Sequence, residues 1–181
     1  MAHKVGYALR IGPLGPAQLR VQSFEAQEAI SRYYRFDVTV ISPIPAELFE
    51  RLALSRRAVF AMRVAGRKRF VHGIVTRVTV EGGRRVHTGE EFQYRVRVAP
   101  RASLLKRRRC SRVFRHLRAD QVIGGVLSAV GVDTIWDLER ELPELDYVTQ
   151  YEETDDDLVR RLAAENGLLF YFRQPPPLLD A

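Results

Sequence analysis

Cys110, His116 and Asp120 fall close together in the chain and are the residue types of a nucleophile, a base and an orienting acid. Arg109 and Arg112 flank the thiol, and neighbouring cations favour a thiolate. No oxyanion-donating element accompanies the three, and a lone cysteine beside a strand is far more often packing material, so no catalytic residue is predicted. His72 lies in a strand pattern with Phe70 and Ile74 and reads as a core or barrel-wall histidine. His3, His87 and His116 are scattered, without the paired His or Cys spacing of a metal site. Asp155, Asp156 and Asp157 offer three adjacent carboxylates, but they open a predicted helix, whose positive end repels a cation. Glu152, Glu153 and Glu165 read as a solvated face and a helix end rather than an acid/base pair. A phosphate loop ending in Gly-Lys-Ser/Thr is missing. The expectation is a protein that is not an enzyme and needs no cofactor or metal.

Charge gives a stronger signal than any of these side chains. The chain of 181 residues carries a formal net charge of +7, with 46% hydrophobic and 28% charged residues. Residues 1–136 hold 25 basic and 10 acidic side chains, whereas residues 137–181 hold 4 and 12. The extremes are local: residues 101–118 contain eight Arg or Lys and no acid, and residues 137–157 contain ten acids and one base, Arg140. Single-sign blocks serve as binding surfaces or as solvated faces in comparable measure. A single cysteine excludes an internal disulfide framework. The first residues lack the apolar core of a secretory signal, and no apolar run reaches the roughly 20 residues of a membrane helix. Folding in the cytoplasm, export without a cleavable signal and no stable membrane association are therefore expected.

The elements that must position these groups are β-rich at first. Val5, Tyr7, Leu9 and Ile11 alternate with polar or small residues, as do Leu19 to Phe24, Tyr34 to Val40 and Ala58 to Val64. Phe70 to Val80 forms a long strand with Phe70, Ile74, Val78 and Val80 on one face, and Gly73 marks a bend or a close backbone approach. Phe92, Tyr94, Val96 and Val98 close the series. Six half-buried strands at short spacing predict an antiparallel β-barrel or sandwich over residues 1–100. Beyond Pro100 the period becomes helical. Asp120 is the expected cap of a helix carrying Val122, Ile123, Val126 and Val130, stopped at Gly131. Leu145 to Tyr151 reads as a strand, Thr154 with Asp157 as the capping box of a second helix ending at Gly167, and Leu168 to Phe172 as a buried strand. The fold class is mainly β with some α, an antiparallel β-barrel over 1–100 followed by a partial α/β segment over 101–181.

Several stretches, in this order, resemble the VgrG family of type VI secretion tip proteins, related to phage late-control and baseplate-hub proteins. They are Phe24-x-x-x-Glu28-x-Ile30-Ser31 leading to Tyr34-x-Phe36-x-Val38, Phe70-x-His72-Gly73-Ile74-Val75, Tyr94-x-Val96-x-Val98-x-Pro100, and Arg112-x-Phe114. The fullest match is Gln150-Tyr151-Glu152-Glu153-Thr154, then Leu158-Val159-x-Arg161-Leu162 and Glu165-Asn166-Gly167-Leu168. Ala26, Arg115, Thr154 and Asn166 depart from the family pattern without disturbing the fold, since Thr caps a helix nearly as well as Ser.

The resemblance implies a structural part at the head of a contractile injection apparatus. Family members assemble as trimers whose paired barrels form a ring docking an inner tube of the Hcp type, with baseplate proteins and effectors as further partners. They continue into a second barrel, an oligonucleotide-binding-like domain and a spike, so this piece by itself leaves a monomer open. Delivery to a target cell follows assembly in the cytoplasm. Ser31, Gly73, Gln150, Tyr151, Arg161 and Gly167 become architectural residues, for turn geometry, strand pairing and helix capping. Charge adds a candidate interface in Arg107, Arg108, Arg109, Arg112, Asp155 and Asp156, the basic and acidic blocks complementing each other between or within chains. The rival reading is a nucleic-acid-binding β-barrel using the Arg101–Arg118 patch with Phe114 for stacking. Aromatic residues are not interleaved with its arginines on one exposed face, as stacking platforms require, so no nucleic acid is expected.

Overall fold

A strand whose alternate residues are apolar buries one face and leaves the other to water, and the first hundred residues repeat that pattern six times. The computed structural model describes residues 6–64, 67–86 and 89–174. It contains β1 (Gly6–Ile11), β2 (Arg20–Gln27), β3 (Arg35–Ser42), α1 (Ala46–Ala53), β4 (Arg57–Val64), β5 (Arg67–Val86) and β6 (Gly89–Ala99). A 3-10 helix (Arg101–Arg107) follows, then β7 (Arg109–Arg118), α2 (Ala119–Ser128), β8 (Glu144–Thr154) and α3 (Asp155–Glu165). The chain divides into two compact units. One comprises Met1–Ala29, Tyr34–Pro100 and Phe172–Ala181; the other comprises Ile30–Tyr33 and Arg101–Tyr171.

The first unit is one antiparallel sheet in the order β1-β4-β5-β6-β3-β2, curled into a half-barrel. Its concave side is filled by Leu9, Ile11, Phe36, Val38, Val40, Phe60, Met62, Val71, Val75, Tyr94, Val96 and Val98, with Phe49 of α1 completing the core. Each large side chain buried this way contributes about 1.5–3 kcal/mol. The edge strands approach through Tyr7 and Phe24, whose ring centroids lie 5.2 Å apart edge to face. They are not hydrogen-bonded neighbours, so the wall curls without closing.

Strand β5 departs from the predicted register. Val71 and Val75 face the core, both fully buried, while Val80 is 51% exposed. Phe70, His72 and Ile74 therefore point to the opposite, outward side. A bulge between Val75 and Arg77 then returns Val78 to the core. An inserted residue shifts all following side chains to the other face, which alternation alone does not reveal. Gly73 sits where β5 passes β6 closely: a Cβ there would meet the Ala99 carbonyl oxygen at 2.5 Å and Val98 Cγ1 at 2.9 Å.

The second unit is a two-stranded antiparallel ribbon, β7 with β8. Its core gathers Leu105, Val122, Ile123, Val126, Val148, Leu158, Val159, Leu162 and Ala163. Two expectations are corrected here. Helix α2 is preceded by Arg118, not Asp120, and the Arg118 N–H donates to Gln121 Oε1 at 2.9 Å. Leu168–Phe172 is not a buried ladder strand, for Leu169 is 76% and Tyr171 66% exposed.

Candidate assembly site

The signature residues of the second unit converge where β7, β8 and the start of α3 meet. The register Arg112↔Gln150 sets those two side chains opposite each other, and Arg112 Nε donates to Gln150 Oε1 at 2.7 Å. Gln150 is fully buried, so its amide must be satisfied internally. Its Nε2 donates to Asp155 Oδ1 at 3.0 Å and to the Glu153 carbonyl at 3.1 Å. Asp155, 4% exposed, also receives Arg112 Nη2 at 2.6 Å, while its backbone N–H donates to the Arg108 carbonyl at 3.0 Å. This closed network ties both strands to the helix that follows them. The Cys110 thiol reaches the same carboxylate, Sγ to Oδ1 3.7 Å.

Helix α3 begins at the predicted capping box. The Asp157 N–H donates to Thr154 Oγ1 at 3.1 Å, and the Thr154 N–H donates to Asp157 Oδ2 at 3.2 Å. Hydrogen bonds from the Thr154 hydroxyl and then its backbone hold the Asp157 carboxyl below its ordinary range. At the other end Gly167 adopts φ +66°, and the Leu168 N–H closes on the Ala163 carbonyl at 2.8 Å. That left-handed cap is the geometry glycine supplies at little cost. Arg161 reaches from α3 to Glu153 Oε1 at 2.5 Å and to the Thr149 carbonyl at 2.9 Å, clamping the helix onto β8. Hydrogen bonding to Glu153 raises the already high Arg161 pKa further.

Ser31 is a turn residue with φ 56°, and its N–H donates to the Phe170 carbonyl at 2.8 Å. Next to it, Tyr33 lies under Arg160, whose guanidinium carbon is 4.6 Å from the ring centroid. Burial, and then the Asp156 carboxylate beside it, push the Tyr33 hydroxyl pKa upward. Asp156 also accepts from Arg160 Nε at 3.0 Å.

The two charge blocks meet at a few points within this unit. Besides Arg112 with Asp155, Arg118 holds Asp120 through two bonds of 3.1 Å and Glu141 at 2.8 Å. His116 Nδ1 lies 3.3 Å from Glu144, and Arg109 Nη1 donates to the Glu152 carbonyl at 2.6 Å. Of the candidate interface residues, Arg107, Arg108 and Arg109 are exposed, whereas Asp155 and Asp156 are buried. Tyr151 is 73% exposed on the outward side of the ribbon. Phe114 is half-buried beneath Arg112, 4.9 Å from ring centroid to guanidinium carbon, and packs on the core. It is not displayed for base stacking.

Most of the remaining candidates are held by neighbouring side chains. Cys110, His116 and Asp120 are partnered by Asp155, Glu144 and Arg118 respectively. Glu153 and Glu165 both hold Arg161. Among the described residues no three His, Cys, Asp or Glu side chains come together to hold a metal ion. His72, expected on the core face, lies on the outward side of the first unit, and its buried Nε2 has no hydrogen-bond partner among the described residues. His3 and His87 lie outside the described residues. Arg160 carries a structural role that the sequence did not single out. Arg112, a candidate interface residue together with Asp155, meets that carboxylate within the chain.

The described residues thus form a curled antiparallel half-barrel and a β-α-β-α unit. The chain belongs to the phage tail baseplate hub (GPD) family, whose pattern matches residues 27–177. It is 30% identical over 162 residues to the type VI secretion system spike protein VgrG1c of Pseudomonas aeruginosa, covering 89% of this chain and 22% of that protein. Among solved structures, the E. coli c3393 protein, a component of the type VI secretion system with structural similarity to the T4 bacteriophage tail proteins gp27 and gp5, superposes with a TM-score of 0.79. The identity there is 26%, over 92% of this chain and 45% of that one. A 43 kDa tail protein of prophage MuSo2 from Shewanella oneidensis shares the fold, with a TM-score of 0.62 at 15% identity. The chain thus spans about a fifth of the VgrG1c length.

Proposed function

We propose that this chain is a structural element of a contractile injection apparatus, forming part of a hub ring on which the inner tube docks. The observation that supports this best is the polar network around Gln150. Its arginine, amide and carboxylate satisfy one another and fix strands to helix, so this signature cluster serves the shape of the unit. A half-barrel with a filled interior and a charged outside suits a part whose work is done by its surfaces. On this reading residues 1–100 form the hub-type barrel domain and residues 101–181 a partial α/β segment. Ser31, Gly73, Gln150, Arg161 and Gly167 hold shape, and the exposed Tyr151 belongs to a contact surface. Partners would be further copies of the chain, a tube protein and baseplate proteins, and delivery would be through the apparatus itself.

A segment exchange tests this. Residues 27–177 of this chain would replace the matching segment of VgrG1c in P. aeruginosa, and export of the tube protein into the medium would be measured. Restored export is the expected result. A soluble, correctly assembled chimera that exports no tube protein would overturn the proposal.

A further inference from the structure

Two groups of exposed charges of opposite sign have no ion-pair partner among the described residues. The outward side of β1, β4 and β5 carries Arg10, Arg57, Arg63 and Lys68, all exposed, and no carboxylate occupies an outward position on these strands through Thr79. None of the four cations has an acidic partner among the described residues. Arg63 and Lys68 stand directly opposite each other across β4 and β5, and like charges in that relation are destabilising. Between the cations the surface is apolar and half-buried, formed by Ala8, Val59, Ala61 and Phe70. An unrelieved cationic rim around an apolar centre calls for a partner with the reverse pattern.

That pattern exists on the same chain. The segment between α2 and β8 presents Ile135, 76% exposed, and Trp136, 39% exposed, with Asp133, Asp137 and Glu139 exposed around them. These three acids have no basic partner among the described residues, and the one cation nearby is Arg140. Trp136 leans on Gly124 of α2, which braces the ring and leaves part of it in solvent.

We infer that the outward face of β1, β4 and β5 in one copy receives the Asp133–Glu139 segment of the next, resting on the hub-ring reading above. Two different patches meet, so the contact is heterologous and propagates from copy to copy until a ring closes. Apolar Ile135 and Trp136 meet the Ala8–Val59–Ala61–Phe70 centre, and the acids meet the arginine rim. The face measures on the order of 300 Å² from strand spacing and rise, less than half of what a stable interface buries per partner. The contact is accordingly weak in a pair and sensitive to salt.

The 181-residue chain itself serves for the test. Sedimentation would be followed up to about 1 mM protein at about 50 and about 500 mM salt. Two variants would be compared, Arg63→Glu with Lys68→Glu, and Asp137→Lys with Glu139→Lys; all four side chains are exposed, and circular dichroism would verify the fold. Association at low salt, weakened roughly tenfold or more by high salt and by either variant alone, is expected. The two variants mixed should associate again, because their reversed patches complement each other. A wild-type chain that stays monomeric, association indifferent to the reversals, or a mixture that does not recover overturns the inference. Binding of a labelled single-stranded oligonucleotide that Arg63→Glu with Lys68→Glu abolishes, without protein association, assigns the face to nucleic acid and equally overturns it. Loss of export in the segment exchange bears on the hub reading, whereas indifference to charge reversal bears only on this interface.

Discussion

At Gly73 the backbone of β5 lies so close to β6 that even a methyl group has no room. The nearest obstacle is a backbone oxygen, which cannot rotate away as a side-chain tip can. Gly73→Ala should destabilise the first unit by about 1–3 kcal/mol, the usual cost of overpacking, read as a lowered urea midpoint with an unchanged slope. A wild-type midpoint would show that the strands separate more easily than this geometry permits. The requirement at Gly73 was legible in the sequence, since a glycine inside a strand pattern signals a close approach. The role of Arg112 was not, because strand pairing brings it to Gln150 and Asp155 from far along the chain. Arg112→Met should cost about 2–3 kcal/mol by removing the shortest bond to the buried Asp155 carboxylate, and adding Asp155→Leu should recover much of that. Equal losses in the single and double variants, measured by denaturant titration, would show that the pair does not act as a unit.

Among the elements, α3 was the most legible, because capping is local: Thr154, Asp157 and Gly167 sit within one helix and do in the structure what their spacing predicts. Strand β7 was the least legible. Its arginines at 109, 112, 115 and 118 read as a charge block, and a bulge between Cys110 and Arg112, with a positive φ at His116, breaks the two-residue alternation. Leu168–Phe172 misled in the opposite way, carrying strand-forming residues and alternating exposure without the ladder. Thr154→Ala should weaken α3 by about 1 kcal/mol near neutral pH. The pH dependence follows from the depressed Asp157 carboxyl. A group whose pKa is lower folded than unfolded contributes stability that is present above its unfolded value and is lost as pH falls through the folded one. The difference between wild type and Thr154→Ala should thus shrink on acidification below about pH 4. A difference that grows with acid would place the Asp157 hydrogen bonds outside the cap.

For the whole molecule, a net charge of +7 and an isoelectric point near 10.0 argue for attraction to any polyanion. Position decides whether that attraction becomes recognition. The basic and acidic blocks, and their complementarity between or within chains, were visible in the sequence; which residues meet was not, because pairing depends on the fold and not on proximity along the chain. Arg109, Arg112 and Arg118 are held by groups of their own unit, and Phe114 is covered. What remains is diffuse charge, which binds phosphate backbones without regard to sequence and yields to salt. Titration with a labelled single-stranded oligonucleotide should therefore give a dissociation constant no tighter than about 1 µM near physiological salt, alike for different base compositions. Reversing Arg107 and Arg108 should weaken it only in proportion to the charge removed, since neither is paired with an aromatic platform. Sub-micromolar, sequence-selective binding that vanishes with those two arginines would mean that the β7 block reads nucleic acid after all, and the internal pairing within the second unit would have to open to allow it.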